Sequence, residues 1–251
     1  MKTWLNWREI EKMNVWGLRS KDDAEAKTWD DGAEGWEKRS IAEGDAGQRQ
    51  VDALKMITGD DTVLDLGCGT GPLTIPLAKR AKRVTAFDCG PNMIGYVREK
   101  AEREGLDNID YLIGNWYTME AGRDIPVHDI AVARHAPCQC DILKYSLFAR
   151  KYCYSLWNAA GVQYIDYHDN PGVLSDPKIN PNRKYNEPNG RLFGFNVHFN
   201  LLYELGANPT VTYVENNANG PMGKMKMKMS ILGWDPSEID FDKAKYYYNF
   251  K

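Results

Sequence analysis

This sequence of 251 residues contains no long apolar run. No window approaches the ~18 uninterrupted apolar residues that indicate a transmembrane helix. Charges interrupt the N-terminal segment every few residues, so it has no signal-peptide core. Cysteine is scarce as well, and five residues, an odd number, do not make a disulfide framework. The sequence therefore predicts a cytoplasmic protein with reduced thiols and no membrane partner.

Histidine is also scarce, and neither sign of charge dominates. There are four histidines, without an HExxH motif, a CxxC pair or zinc-finger spacing, so the sequence predicts no metal centre. The 32 Lys and Arg residues against 35 Asp and Glu give a net charge of −3. This balance speaks against wide, salt-driven binding of nucleic acid, although a local basic patch remains compatible with it. The length suits one well-cored domain with a small cap.

Short apolar runs alternate with helical patterns between residues 61 and 167, which is typical of βα units in a parallel sheet. The runs predict five strands, at Thr62–Leu66, Arg83–Asp88, Ile109–Ile113, Asp129–Ala133 and Val162–Tyr167. The helical patterns predict helices at Gly71–Ala81, from Pro91 to Gly105, and along Leu143, Leu147, Phe148, Tyr152 and Leu156. A helix at Leu192–Leu205 and an antiparallel pair of strands, Thr210–Glu215 and Lys224–Leu232, are expected to follow.

The segments outside these units divide into a cap and a loop. Residues 1–50 are expected to form a helical cap on a domain at residues 51–251, with short helices around 5–13 and 22–38 and one near 46–57. The cap holds five of the eight tryptophans, Trp4, Trp7, Trp16, Trp29 and Trp36. These rings either wall a substrate pocket or pack the helices onto the sheet. Residues 168–190 carry four prolines and five asparagines, as expected of a binding loop or a solvated excursion.

The stretch that carries most chemistry is VLDLGCGTG, Val63–Gly71, between the first strand and its helix. Glycines at alternate positions, Gly67, Gly69 and Gly71, let the backbone turn tightly and approach a ligand closely. A helix opened by Gly71 would turn its N-terminal amides toward an anion. Asp88 ends the second strand, where an acidic side chain can accept both hydroxyls of a ribose.

This stretch resembles the first motif of the class I S-adenosylmethionine-dependent methyltransferases, an acidic residue followed by G-x-G-x-G. Asp65, Gly67, Gly69 and Gly71 match it, whereas dinucleotide-binding enzymes favour G-x-G-x-x-G. The resemblance runs from about Trp29 to Tyr167. It implies a Rossmann-like α/β fold, with a seven-stranded, mostly parallel sheet, helices on both faces and a C-terminal antiparallel hairpin strand.

The resemblance also implies S-adenosylmethionine as cofactor and a set of residues that hold it. The first-motif loop would face its methionine part, Asp88 its ribose, and the pair after the third strand its adenine. In full, the implied cofactor-binding residues are Asp65, Gly67, Cys68, Gly69, Gly71, Asp88, Cys89, Asn115, Trp116 and Arg134. The family usually has Asp where Asn115 stands, and an amide carbonyl can still accept a hydrogen bond from the adenine amine.

The segment after the fourth strand, residues 128–140, is expected to lie near the methyl group, because ligands bind where the ends of strands one and four meet. His135 is the candidate catalytic base, with an unperturbed pKa near 6.5, and a packed structural histidine is the alternative. His135, Cys138 and Cys140 can together hold a soft metal, but no further ligand supports this. The two cysteines also suit a thiol or arsenic substrate, or are simply buried.

The function that the sequence favours is methyl transfer to an N, O or S atom of a small-molecule acceptor. Pro137, Cys138 and Gln139 also resemble the Pro-Cys of cytosine C5 methyltransferases, whose thiolate adds to the base. A separate target-recognition domain is missing and the chain is acidic, so a nucleic-acid partner is not favoured. Methylation of protein side chains and a non-catalytic cofactor-binding subunit remain as alternatives, and the oligomeric state is not predicted.

Overall fold

The structure is a computed structural model that describes residues 5–12, 21–159, 195–220 and 223–248, with the backbone alone at 216–220 and 223–227. In these ranges seven strands form one sheet in the order β3-β2-β1-β4-β5-β7-β6. The strands are β1 Thr62–Leu66, β2 Arg83–Asp88, β3 Ile109–Ile113, β4 His128–Arg134, β5 Ala149–Asn158, β6 Thr210–Gly220 and β7 Gly223–Trp234. The pairs among β1 to β5 are parallel, and β7 runs antiparallel to both β5 and β6.

Nine helices of at least five residues surround the sheet in the described part of the chain. They are α1 Trp7–Lys12, α2 Asp23–Asp31, α3 Ala33–Ala42, α4 Ala46–Ala53, α5 Thr74–Ala78, α6 Pro91–Arg103, α7 Ile142–Ser146, α8 Phe195–Glu204 and α9 Phe241–Tyr248. Short 3-10 turns lie at Pro137–Cys140 and Pro236–Glu238. Among these residues, none of the helices is both long and apolar enough to cross a membrane.

Both faces of the sheet are buried. Successive residues of a strand point to opposite faces, and those of β1 alternate between two apolar clusters. Leu64 packs with residues of α7 and α8, whereas Val63 packs with residues of α4, α5 and α6. This is the doubly covered, mostly parallel sheet that the sequence predicts, with the antiparallel pair at its C-terminal end.

The first three strands begin and end where the apolar runs predict, and β4 is one residue longer at each end. The helix expected from Pro91 is also confirmed, with the proline in its first turn, where the missing N–H costs little. The predicted antiparallel strands are confirmed but longer, and they extend into the segment expected to be a turn. In β7, Lys228 is exposed and Met229 is buried, since successive residues of a strand point to opposite faces.

The helix predicted at Gly71–Ala81 is wrong at both ends, since α5 covers only Thr74–Ala78. Gly71 has a φ of +87°, a left-handed conformation that cannot belong to an α-helix. Helix α5 is also very short, and its N-cap residue makes no side-chain capping bond. The expected anion-binding helix start at Gly71 is therefore wrong.

The helix predicted along Leu143–Leu156 is also wrong. Only Ile142–Ser146 is helical, and Ala149–Asn158 forms β5 between β4 and β7. Tyr152, Tyr154 and Leu156 fit a period of two as well as a helical period, and two flanking strands satisfy both edges of β5. The strand predicted at Val162–Tyr167, the loop at 168–190, residues 192–194 of the next helix, and Trp4 and Trp16 lie outside the described residues.

A buried charged cluster fastens α1 to the rest of the fold. Arg8 Nη1 lies 2.5 Å from Glu11 Oε2 and 2.7 Å from Asp141 Oδ1. Glu11 Oε1 accepts a hydrogen bond of 2.7 Å from the Ile142 N–H and lies 3.4 Å from His198 Nε2 on α8. Burial raises the pKa of Glu11 to about 7, against a lowering by Arg8, and burial lowers the pKa of His198 to about 4.

The raised pKa of Glu11 implies that the stability of the fold depends on pH. Its protonated form is favoured in the folded chain, so its contribution is full below the ordinary pKa of 4.5 and is lost as pH rises through about 7. His198 works in the opposite direction, so the effect of Glu11 is isolated only as a difference between proteins. We expect the melting temperature of Glu11→Gln, relative to the native protein, to rise between pH 5 and pH 8.

The matched control is Glu9→Gln, on the same helix, where the carboxylate pairs with Lys12 in solvent. Its melting temperature relative to the native protein is expected to change little over the same pH range. A difference between Glu11→Gln and native protein that is constant with pH, or that falls, would contradict the assignment.

Candidate functional site

A cavity opens at the carboxyl ends of the central strands, where β1 and β4 adjoin and the order of strands reverses. It encloses about 1250 Å³ with its open mouth, enough for a ligand of cofactor size. One wall comes from the segments after β1 to β4, and the other from residues 21–43. The sheet thus gathers at one edge most of the residues that the sequence singles out.

The loop after β1 has the backbone that its glycines predict. Gly67 and Gly69 have φ values of +74° and +54°. The N–H groups of Gly67 and Cys68 both donate to the Phe87 carbonyl, at 2.8 and 2.9 Å, and so tie the loop to β2. A Cβ on Gly67 would lie 2.5 Å from that of Ala136, whereas a Cβ on Gly69 would meet no described atom within 4 Å. Gly67 therefore allows close packing, and Gly69 leaves room beside the backbone for a ligand.

Two buried carboxylates hold this loop. Asp65 accepts a 2.6 Å hydrogen bond from the Thr74 hydroxyl. Asp88 accepts from the Gly69 N–H at 2.8 Å and from the Gly90 N–H at 3.0 Å. Burial raises the pKa of Asp65 to about 7 and also raises that of Asp88. Each carboxylate oxygen can accept more than one bond, so Asp88 braces the loop and keeps acceptor capacity for a ligand.

Of the two residues expected at the adenine, Asn115 already has hydrogen-bond partners within the protein and Trp116 does not. The Asn115 amide donates to the Lys21 carbonyl at 2.9 Å and accepts from the Tyr117 N–H at 3.1 Å, so it holds its own turn and the start of the N-terminal wall. Trp116 is buried, and its Nε1 has no hydrogen-bond partner among the described residues. Cys89 is half-buried, and burial raises the pKa of its thiol to about 12.

The described tryptophans of the N-terminal segment divide between the two alternatives. Trp29 and Trp36 both line the cavity, with ring centroids 5.9 Å apart, whereas Trp7 packs against the core. The wall is anchored to α6 through Asp30, which accepts bonds of 2.7 and 2.9 Å from the backbone and side chain of Asn92. Lys100 of α6 adds a second anchor, donating to Glu37 at 2.5 Å and to the Thr70 carbonyl at 2.8 Å.

Sequence reasoning missed two residues of this wall, Arg39 and Glu43. Arg134 at the end of β4 forms an ion pair with Glu43, and the two side chains are only 8% and 11% exposed. The other oxygen of Glu43 lies 3.2 Å from Arg39 Nε, and the Arg39 guanidinium lies 5.2 Å from the centre of the Trp36 ring. In the sequence this spacing of Arg39 and Glu43 looks like an ordinary surface pair on a helix.

His135 lies where the sequence places it, but its chemistry differs. Its φ of +51° is left-handed, its backbone N–H donates to the Leu156 carbonyl at 3.3 Å, and its ring centre lies 6.0 Å from that of Trp157. Burial first, then the charges of Arg134 and Arg39, lower its pKa well below the usual value. The expectation of an unperturbed pKa near 6.5 is wrong, because the buried imidazole stays neutral at neutral pH.

The two cysteines near His135 are buried. Cys138 Sγ lies 3.5 Å from the Leu66 carbonyl, and burial raises the pKa of its thiol well above the usual value. In the part of the chain that the structure describes, no group of three or more His, Cys, Asp or Glu side chains could hold a metal ion. The soft-metal alternative from His135, Cys138 and Cys140 therefore has no support, and Cys138 lacks the thiolate that a nucleophile needs.

Comparison with known proteins finds matches around this site. The model of a family described as a methyltransferase domain matches residues 63–142. A probable cobalt-precorrin-6B C(15)-methyltransferase (decarboxylating) of Methanobrevibacter smithii is 39% identical over 77 residues, which are 30% of this chain and 40% of that protein. A 23S rRNA (uracil(1939)-C(5))-methyltransferase of Xanthomonas campestris is 42% identical over 52 residues, 21% of this chain and 12% of that protein. The chain spans less than half the length of these curated relatives.

Solved structures share the fold over a larger part of the chain. The magnesium protoporphyrin IX methyltransferase of Synechocystis, solved with bound S-adenosylhomocysteine, has a TM-score of 0.58 at 14% identity and covers 85% of this chain and 99% of its own. An S-adenosylmethionine-dependent methyltransferase of Methanosarcina mazei has a TM-score of 0.50 at 18% identity, covering 72% and 95% of the two chains. The chain thus contains a methyltransferase domain at residues 63–142 and shares the fold of these S-adenosylmethionine-dependent methyltransferases.

Proposed function

We propose that the chain transfers the methyl group of S-adenosylmethionine to an N, O or S atom of a small-molecule acceptor. The observation that carries this proposal is the left-handed Gly69, open to the cavity, with its N–H bonded to Asp88. Backbone and carboxylate thus meet at one point of the cavity wall, as the binding of a nucleoside with a polar tail requires. We also propose the division into a cap at residues 1–50 and a cofactor-binding domain at 51–251.

The residues present fit this cofactor. The open side of Gly69 would take the methionine part, and the remaining acceptor capacity of Asp88 would take the ribose hydroxyls. Trp116 Nε1, buried without a partner among the described residues, is a donor that a base nitrogen or a ribose oxygen can satisfy. Asn115 would act at the adenine through the turn it holds, because its own amide is already engaged.

For methyl transfer the protein mainly has to align the acceptor atom with the methyl group. The sulfonium makes its methyl group electrophilic, so the chain has to hold an acceptor atom in line with it and keep water out. The apolar faces of Trp29 and Trp36 serve the second purpose. In this proposal His135 would accept a hydrogen bond from the acceptor's N–H, O–H or S–H through its neutral imidazole. Its low pKa makes it a weak base, so an acceptor that loses its proton easily suits this site.

A nucleic-acid acceptor is the second candidate, because the similarity to an rRNA methyltransferase favours it. The uracil C5 reaction named for that relative, like the cytosine C5 reaction, would here have to use Cys138. A buried thiol with a raised pKa does not supply the nucleophile. The net charge of −3 adds no general attraction for a phosphate backbone.

The first test is binding of S-adenosylhomocysteine by calorimetry, with the native protein and with Asp88→Ala. We expect the native protein to bind and Asp88→Ala to bind more weakly by about 1.5–3 kcal/mol, the worth of a hydrogen bond to a charged group. Since Asp88 also braces the loop, the 2′-deoxy analogue is measured with both proteins. Loss of the 2′-hydroxyl should lower the affinity of the native protein. It should lower the affinity of Asp88→Ala much less, because that variant has already lost the contact. Absence of any binding at millimolar ligand would refute the proposed function.

The control for Asp88→Ala is Asp110→Ala, which removes a carboxylate that pairs with Arg83 on the surface of the sheet. Its affinity for S-adenosylhomocysteine is expected to equal that of the native protein. If the analogue costs the same affinity in Asp88→Ala as in the native protein, the ribose contact is misassigned.

The state of His135 can be followed without knowing the acceptor. Because its pKa lies well below 6.5, its ring resonances should not titrate between pH 8 and pH 6, as observed by NMR of labelled histidine. The four histidine signals are assigned with a His135→Gln variant. A His135 signal that titrates with a midpoint near 6.5 would contradict the assignment.

An experiment on Cys138 distinguishes a small-molecule acceptor from a nucleic-acid acceptor. A C5 enzyme needs a covalent thiolate adduct, which RNA or DNA containing 5-fluoropyrimidine would trap. We expect the native protein to form no such adduct on a denaturing gel, and Cys138→Ala to keep the native affinity for S-adenosylhomocysteine. An adduct that appears with the native protein and disappears in Cys138→Ala would establish nucleic-acid methylation instead.

A further inference from the structure

A cluster of three charged side chains, here called the arginine cluster, joins the two walls of the cavity: Arg39 and Glu43 lie on the N-terminal wall, and Arg134 ends β4 beside the loop at residues 67–71, the glycine loop. The two oxygens of Glu43 are divided between the two guanidinium groups, one on α3 and one at the end of β4. Arg134 is more than nine-tenths buried, and its Nε has no hydrogen-bond partner among the described residues. The cluster therefore combines a buried donor without a partner and a position on the cavity wall.

The charges of this cluster do not balance. Two guanidiniums and one carboxylate leave one positive charge, because an arginine is always protonated. Asp65 also interacts with Arg134, but it is bonded to Thr74, and its pKa of about 7 leaves it partly neutral near pH 7. This excess positive charge also acts on the imidazole of His135, since both arginines lower its pKa. A buried positive charge with an unused donor calls for an anion.

The position along the sheet indicates which ligand brings that anion. Asp88 ends β2, the glycine loop follows β1, and Arg134 ends β4, three neighbouring strands in this order. A cofactor with its ribose at Asp88 and its methionine part at the glycine loop places its methyl group toward β4. The arginine cluster and His135 then lie on the far side of the methyl group, where the acceptor has to be.

We propose that the arginine cluster binds a carboxylate of the methyl acceptor, so that the substrates are organic acids whose apolar part lies against Trp36 and Trp29. Guanidinium groups match the geometry of a carboxylate, and an aromatic wall with a cation beside it suits a flat, unsaturated body. Glu43 acts as a positioning residue that holds both guanidiniums at the wall. This inference rests on the proposed function, because it takes the cofactor to occupy the glycine-loop side of the cavity.

The test uses three probes with one ring system and three charges: indole-3-acetate, its primary amide and tryptamine. Their binding is measured by calorimetry on protein saturated with S-adenosylhomocysteine, so failure of the proposed function shows first, as absence of cofactor binding. We expect the carboxylate to bind about tenfold or more tighter than the amide and the amine. Equal binding of the three probes, a preference for the amine, or no carboxylate binding at millimolar concentration would overturn the proposal.

Variants assign the preference to the cluster. Arg134→Gln and Arg39→Gln should each remove most of the preference for the carboxylate. Arg83→Gln, the same change at the far end of the sheet where Arg83 pairs with Asp110, should keep it. Glu43→Gln removes the one negative charge of the cluster, and binding of the carboxylate should then depend more steeply on salt. If Arg134→Gln does not fold, Arg39→Gln decides, since its side chain is 39% exposed and tolerates replacement.

The alternative source of a carboxylate is the cofactor itself. Native protein and Arg134→Gln are therefore also titrated with S-adenosylhomocysteine and with 5′-methylthioadenosine, which lacks the amino-acid part. The proposal expects Arg134→Gln to leave the ratio of the two affinities unchanged. If the variant loses about tenfold toward S-adenosylhomocysteine and nothing toward 5′-methylthioadenosine, the cluster binds the cofactor's own carboxylate and the proposal for the acceptor is wrong.

Discussion

The site depends on the way one carboxylate, Asp88, joins two loops. It ends β2 and bonds the N–H of Gly69 on one side and of Gly90 on the other. With the two loop amides that donate to the Phe87 carbonyl, it fixes a left-handed backbone that few residues besides glycine adopt without strain. Burial disfavours the charge of Asp88, and its bonds to the two amides favour it. The carboxylate keeps acceptor capacity beyond these two bonds, which is what the proposed contact with ribose hydroxyls requires.

The cavity is polarised across three strands. Acidic side chains stand at the ends of β1 and β2, and guanidiniums stand at the end of β4 and on α3. This separation of charge fits the two ligands of the proposed function, a sulfonium near the carboxylates and an organic anion near the guanidiniums. His135 sits between them as a neutral ring, which avoids placing a third cation beside the sulfonium.

The sequence predicts this fold well where local and tertiary preferences agree. The strands at Thr62–Leu66 and Arg83–Asp88 are short apolar runs buried on both faces, which is the pattern of central strands in a parallel sheet. The prediction fails at β5, because Tyr152 and Leu156 satisfy two periodicities and only the neighbouring strands decide between them. It also fails at Glu43, because the helical pattern around this residue does not reveal that it forms an ion pair with the buried Arg134 at the end of β4. The low pKa of His135 was missed for the same reason, as it depends on burial first, and then on the guanidiniums of the preceding Arg134 and of Arg39 on α3.

Lys100 has a consequence for any attempt to change what the enzyme accepts. Its ammonium joins Glu37 on α3 to the Thr70 carbonyl of the glycine loop, and Asp30 fastens α2 to Asn92 on the same helix. The N-terminal wall and the glycine loop therefore share α6 as a common scaffold. Under the proposed function, exchanging α2 and α3 for those of a related protein would change specificity only if the graft brings its own partners for Lys100 and Asn92. A graft without them would leave the Lys100 ammonium without its counter-ion beside the glycine loop.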